Sequence, residues 1–197
     1  MRKKIITIGL CVFLVGAGLI GCAGMMTKPT EQNFKSPVVT LDHVELPSYF
    51  GYWFYNAKVA PTNGKAGNNG SPLMLAFIFN VENPNTFPVQ MNDLKFTVAL
   101  EDFELNTVNS METMWIPPGK TNQLRVNCVL GVWEAFMSLG VTGGFKMKEM
   151  NVKPFDLIEK WWTKAPEFSF PVDVRDGAAI FKADGIIKVS SFKATFP

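Results

Sequence analysis

Histidine is almost missing from this chain: His43 is the only one in 197 residues. A nucleophile activated by imidazole would have to use it, and a triad needs more partners than the adjacent Asp42 supplies. His43 beside Asp42 on a strand therefore reads as structural. No Gly-x-Ser-x-Gly elbow occurs anywhere, which removes a common seat for a hydrolase serine. Cysteine is nearly as scarce, with three residues, of which only Cys128 lies beyond the N-terminal segment, and one such thiol beside one histidine falls short of the four ligands of structural zinc. Glu101, Asp102 and Glu104 lack the spacing of a calcium loop and read as a solvated strand end. The glycine-rich stretch 64–70 looks superficially like a phosphate loop, but it leads through Ser71 and Pro72 into a strand. The helix N-terminus that makes such a loop work is absent, leaving a hairpin loop. An excess of either charge is missing too, with 19 basic residues facing 17 acidic ones. The expectation is a non-catalytic chain with no metal, no cofactor and no nucleic-acid partner.

What is present begins at the N-terminus. Arg2, Lys3 and Lys4 precede an apolar run over residues 5–20, followed by Leu19-Ile20-Gly21-Cys22. The run is slightly short of the roughly 20 residues of a comfortable membrane span. Cationic residues stay on the cytoplasmic side, the apolar run partitions into the bilayer, and small Gly21 admits a peptidase to the bond before Cys22. The tetrapeptide resembles the lipobox of bacterial lipoproteins. That resemblance implies a signal peptide over residues 1–21, cleavage between Gly21 and Cys22, and diacylglycerol and a further fatty acyl chain such as palmitate on Cys22. It also implies residence in the cell envelope as a membrane-anchored lipoprotein. Ala23, where an Asp would favour inner-membrane retention, points to the periplasmic face of the outer membrane if the host is Gram-negative.

Removal of residues 1–21 leaves 16 basic against 17 acidic residues, so the basic isoelectric point belongs mostly to the signal. Cys11 leaves with it and Cys22 is acylated, so Cys128 remains as the only thiol and no internal disulfide can form. Residues 22–37 are mostly small, polar or proline and read as a flexible tether. Residues 38–197 suffice for one domain with a full apolar core.

Within that domain the dominant hydrophobic period is two. Leu94, Phe96, Val98 and Leu100 alternate with polar or small neighbours, as do Phe168, Phe170, Val172 and Val174; both read as half-buried strands. Pro171 places the second at an edge or a bulge. Leu124, Val126, Cys128 and Leu130 alternate as well, which aims Cys128 inward as an inert buried thiol. The run 73–81, apolar on both faces apart from Asn80, reads as a central strand covered on both sides. Further strands are expected over 38–46, 111–116, 178–183 and 186–196, with turns at Asn83-Pro84-Asn85, Pro117-Pro118-Gly119, Asp176-Gly177 and Asp184-Gly185. Val132, Trp133, Phe136 and Leu139 recur at helical spacing before Gly140, and Phe155, Ile158 and Trp162 do so after Pro154. The expected fold is mainly β, an antiparallel immunoglobulin/fibronectin-III-like β-sandwich with two short helices joined near Gly143-Gly144.

The apolar strand running through Phe77-Ile78-Phe79-Asn80-Val81-Glu82 into Asn83-Pro84-Asn85, then Leu94-Lys95-Phe96-Thr97-Val98, then Ile116-Pro117-Pro118-Gly119-Lys120 and a closing strand pair resembles the late embryogenesis abundant type 2 family, also called the water stress and hypersensitive response domain. The resemblance covers roughly residues 37–197. It implies a role in desiccation or water stress through contact with membrane or destabilised proteins. Departures are the aromatic segment 49–55, the loop 63–70 and the helical insert. Asn83, Pro84 and Asn85 read as a structural turn, in which Asn85 tolerates a left-handed conformation and either amide can bond backbone. Tyr49, Tyr52, Trp53 and Tyr55, with Trp161 and Trp162, have two readings: core and covering flap, or a candidate apolar surface for a protein or lipid client. The alternative functional expectation is an accessory lipoprotein of an envelope assembly or lipid-transfer system, docking through that aromatic surface.

Overall fold

A computed structural model describes residues 27–52 and 72–197. Gly21, Cys22, Trp53, Tyr55 and the loop 63–70 lie outside the described residues. In chain order the elements are β1 (Val38–Ser48), β2 (Leu73–Glu82), β3 (Val89–Leu100), β4 (Phe103–Ser110), β5 (Met114–Ile116), β6 (Thr121–Leu130), α1 (Val132–Thr142), α2 (Gly144–Met150), α3 (Pro154–Lys164), a 3-10 turn (Ala165–Glu167), β7 (Val172–Ala183) and β8 (Ile186–Phe196). All strand pairing is antiparallel. One sheet has the order β1-β2-β6; the other has β4-β3-β7-β8, with β5 also paired to β3.

The two sheets pack face to face through their alternating apolar residues. Phe77 and Phe79 of β2 meet the edge of Phe96 of β3 at 5.0 and 5.2 Å, and Phe79 meets Phe192 of β8 at 5.4 Å. These are edge-to-face contacts, in which the positive rim of one ring meets the negative face of the next. β2 is central and buried on both faces, Ala76 and Ile78 included, as its unbroken apolar run predicts. Cys128 is buried on β6, and burial pushes its thiol up to about 11.

Five expectations need correction. β4 was not foreseen, because Phe103-Glu104-Leu105-Asn106-Thr107-Val108-Asn109 loses its alternation halfway; only Phe103, Leu105 and Val108 are buried. The strand expected over 111–116 shrinks to β5, leaving Met111 exposed. β7 is not an edge strand, although it does carry a bulge; it starts at Val172 instead of Phe168 and is not broken by a turn at Asp176-Gly177. It lies between β3 and β8, and Pro171 precedes its first residue, where a missing N–H costs no ladder bond. Asp176 and Gly177 instead form a bulge, with Asp176 left-handed at φ 48°. Gly177 is required there, since a Cβ would lie 2.5 Å from the Phe192 ring. The helical insert has three helices rather than two, because α1 continues through Gly140 and α2 follows after Gly143.

The last correction concerns the tether. Its described part is docked: Phe34 is buried against Phe87 at 5.9 Å, Lys35 exchanges two hydrogen bonds with Asn85, and the Ser190 hydroxyl donates to the Pro37 carbonyl. Phe34 anchors the segment because one buried aromatic ring outweighs the ordering of a few polar neighbours.

The strand directions give the body two ends. Glu82, Val89, Ile116, Thr121 and the β7–β8 turn mark one, which is also where the described chain begins. Ser48, Leu73, Leu100, Leu130 and Val172 mark the other, which the helices cap. About ten residues of strand separate them, roughly 33 Å.

Candidate functional site

At the first end, the Asn-Pro-Asn motif is the hub. Asn83 is fully buried, and its side-chain amide donates to the carbonyls of Phe87 (2.8 Å), Ile116 (3.1 Å) and Pro117 (3.2 Å). Its side-chain oxygen accepts from the Asn85 backbone N–H at 3.0 Å and the Asn85 amide at 2.9 Å. The backbone N–H of Asn83 donates to the Lys120 carbonyl, and that of Gly119 to the Asn85 carbonyl. Gly119 is left-handed at φ 60°, as the Pro-Pro-Gly turn needs. Asn85 does not use the left-handed conformation open to it; it works through its side chain, which bonds the Lys35 backbone. The motif thus welds two loops and the N-terminal segment together, with every side-chain polar atom of Asn83 and Asn85 partnered within the chain.

The opposite end is built on Glu101 and Asp102, the two-residue turn between β3 and β4. Both adopt positive φ, 48° and 71°. Glu101 accepts from the Lys160 ammonium at 2.6 Å and the Trp161 indole N–H at 2.8 Å, and its backbone carbonyl accepts from Lys146 at 3.2 Å. Asp102 pairs with Arg175 and with Lys146 at 3.5 Å; Arg175 also reaches Asp173 at 2.9 Å, which accepts from Thr195 at 2.7 Å. Burial alone would raise the Glu101 carboxyl, but the bonds from Lys160 and Trp161 hold it below the usual carboxylate value. The Arg175 hydrogen bond, then the Lys146 charge, hold Asp102 low as well. These carboxylates are therefore a latch between the helices and the second sheet, with their charges already partnered. Among the described residues, no group of three or more His, Cys, Asp or Glu is placed to hold a metal ion.

The tryptophans named as a candidate surface belong to the core. Trp161 and Trp162 are fully buried, Trp161 packing against Phe103 at 5.8 Å. α3 presents Leu157, Ile158, Trp161 and Trp162 inward as one face, so the pair seals the end of the two sheets instead of facing solvent. Tyr52 is buried too; burial, then the carboxylates of Glu159 and Asp156, raise its phenol, which places it beside α3. Tyr49 and Phe50 are exposed. His43 bonds Asp42 at 2.7 Å and Glu45 at 3.2 Å, which raises its imidazole, and Glu45 pairs onward with Arg125. That cluster sits on partly exposed strand surface.

An apolar surface does exist, on residues that the sequence reasoning read as helix positions or did not name. α1 buries Val132, Ala135 and Leu139, while Trp133, Met137 and Val141 form an exposed stripe at i, i+4 and i+8. Phe145 of α2 continues it. Val141 is 82% and Phe145 89% exposed. At the base of the stripe Trp133, Phe136 and Phe155 stack, with centroids 5.1 and 4.8 Å apart. Ending α1 at Gly140 hid the pattern; reading four residues further would have shown it. Burying such a side chain contributes about 1.5–3 kcal/mol, so leaving these in water is stabilisation forgone by the isolated chain. No helix among the described residues is long and apolar enough to cross a membrane.

No family model matches the chain, and no curated protein matches it. Among solved structures it is similar to a protein from Archaeoglobus fulgidus, with 10% identity and a TM-score of 0.40 over 82% of this chain and 92% of that one. It is likewise similar to a protein from Bordetella pertussis described as ApaA, with 10% identity and a TM-score of 0.42 over 82% and 92%. A third structure, a structural-genomics target, aligns at 10% identity and a TM-score of 0.45 over 82% and 86%.

Proposed function

We propose that this chain is a lipid-anchored, non-catalytic binding module of the cell envelope, built on an immunoglobulin/fibronectin-III-like sandwich, that holds apolar segments of destabilised proteins and protects them when water is lost. The observation that carries this reading is the exposed stripe Trp133, Met137, Val141 and Phe145 at the end remote from the N-terminal segment. An anchor on Cys22 would keep the opposite end near the bilayer and hold the stripe out in the aqueous compartment. Contiguous apolar patches of this kind mark binding surfaces. The stripe stands on helices locked by ion pairs and buried tryptophans, so it is presented without rearrangement, which lowers the ordering cost of binding. Support also comes from the lipobox at Gly21 and Cys22 and from the resemblance to the type 2 late embryogenesis abundant family.

The test is a drying assay with a labile enzyme. The purified lipoprotein should preserve enzyme activity through dehydration, and the double variant Val141→Asp, Phe145→Asp should fold normally yet lose most of that protection. If the unaltered protein protects nothing, the protective role is wrong. A second reading, an accessory lipoprotein of an envelope assembly or lipid-transfer system, uses the same stripe for one fixed partner. In-cell crosslinking from position 141 would then recover a single stoichiometric partner or bound lipid in place of many clients.

A further inference from the structure

The outer face of the second sheet carries a separate apolar surface, at the end opposite the helices. Trp115 pairs with Gln90, Gln90 with Lys182, and Lys182 with Ile187, so these four stand in one row across β5, β3, β7 and β8. Ile180 and Val189 stand in the next row. Directly paired residues of antiparallel strands share a face. Trp115 is 59%, Ile187 60% and Val189 56% exposed. Exposed Lys182 lies among them, with Lys95 and Lys193 further along the same face; Asp93, opposite Ile180, is its half-buried acid.

The chain begins at the same end of the sheet. Lys28 pairs with Asp184 at 3.5 Å and Glu31 with Lys188 at 3.5 Å, so the first described residues lie at the β7–β8 turn; Lys188 alternates with Ile187 and Val189, so the segment runs along the inner side of β8 and not across the face itself. Lys28 stands six positions after Cys22, a reach of roughly 20 Å at full extension. We infer that the Trp115–Ile187–Val189 face rests on the membrane that holds the Cys22 lipid, with its apolar side chains at headgroup depth and its lysines on anionic lipid phosphates. The inference rests on the lipid-anchor reading above. Two features commit the face to a lipid surface: the shortness of the link, and the combination of an indole, branched aliphatic side chains and lysines, which suits the boundary between headgroups and acyl chains.

The experiment uses the full lipoprotein in vesicles of phosphatidylcholine with one-quarter phosphatidylglycerol. Val189→Cys and Val141→Cys variants each carry an environment-sensitive fluorophore; Cys128 is buried and does not compete. Brominated acyl chains should quench the probe at 189 at least twofold and leave the probe at 141 unchanged, and omitting phosphatidylglycerol should reduce the quenching. Vesicle flotation with no quenching at 189 overturns the inference while the anchor reading stands. Quenching at 141 alone overturns it too, since the helices would then face the bilayer. Failure to float, with no lipid on Cys22 by mass spectrometry, removes the anchor reading and this inference together.

Discussion

At the Asn83 end, one buried amide side chain makes five hydrogen bonds among turns rich in polar residues and proline. At the helix end, two tryptophans and a ring of ion pairs perform the same closure, and apolar side chains are left over on the outside. Hydrogen bonds saturate: once Asn83 has its partners, that hub has nothing further to offer. Apolar packing does not saturate in this way, because a helix that buries one face can carry a second apolar face outward. The contrast separates an end closed by a saturated polar hub from an end closed by apolar packing.

The largest expected effect tests the apolar closure. Trp161→Ala should lower unfolding free energy by about 3–5 kcal/mol in a urea titration, since it opens a large cavity. Trp161→Phe, which keeps a ring but removes the donor to Glu101, should cost about 1–2 kcal/mol. At the polar end, Asn83→Ala should cost about 3 kcal/mol, because it strands several buried carbonyl and N–H groups at once. A cost below about 1 kcal/mol would break the contrast, showing that the turns hold themselves without the amide.

Acid should sharpen it. Glu101 and Asp102 have folded-state values below their unfolded ones, so their contribution is present above the ordinary carboxylate range and is lost as pH falls through the lowered values. Below about pH 4, amide exchange in the helices should accelerate before exchange around Asn83 does. Equal acceleration at both ends would deny the latch its role. The Asn83 hub has no titratable member. Glu101→Gln should cost about 1 kcal/mol, given the carboxylate's partial exposure, and should remove much of the acid sensitivity. Smallest of all, the exposed pair Val141→Asp, Phe145→Asp should change stability by no more than about 0.5 kcal/mol while altering binding. A large loss there would mean that the stripe is part of the core.

Much of the β body was legible because alternation is a local signal. The runs at Leu94–Leu100, Leu124–Leu130 and Ile186–Phe196 each declare a strand through side chains on neighbouring pleats. β4 was not, since its polar half is set by pairing with β3 and not by its own pattern. The docking of Phe34 was hidden for a similar reason: one aromatic among polar residues says nothing about the surface it will meet. Trp161 and Trp162 were ambiguous because a large aromatic suits both a core and an interface, and only the way α3 lies over Phe103 decides. Glu101 and Asp102 looked like solvated charges. Their partners Lys146, Lys160 and Arg175 lie 44 to 73 positions away and share no motif with them.

The turn at Glu101 and Asp102 also bears on the order in which the molecule assembles. A hairpin with two left-handed central residues is ordinarily nucleated by Asn-Gly, which adopts that shape alone. Glu-Asp resists it, so β3 and β4 have little reason to close as an independent pair. Their closure waits on Lys160, Trp161 and Arg175, synthesised some sixty residues later, and loop-closure entropy must be met first. Replacing the pair by Asn-Gly would give a hairpin that forms early and a cap that no longer knows where to land.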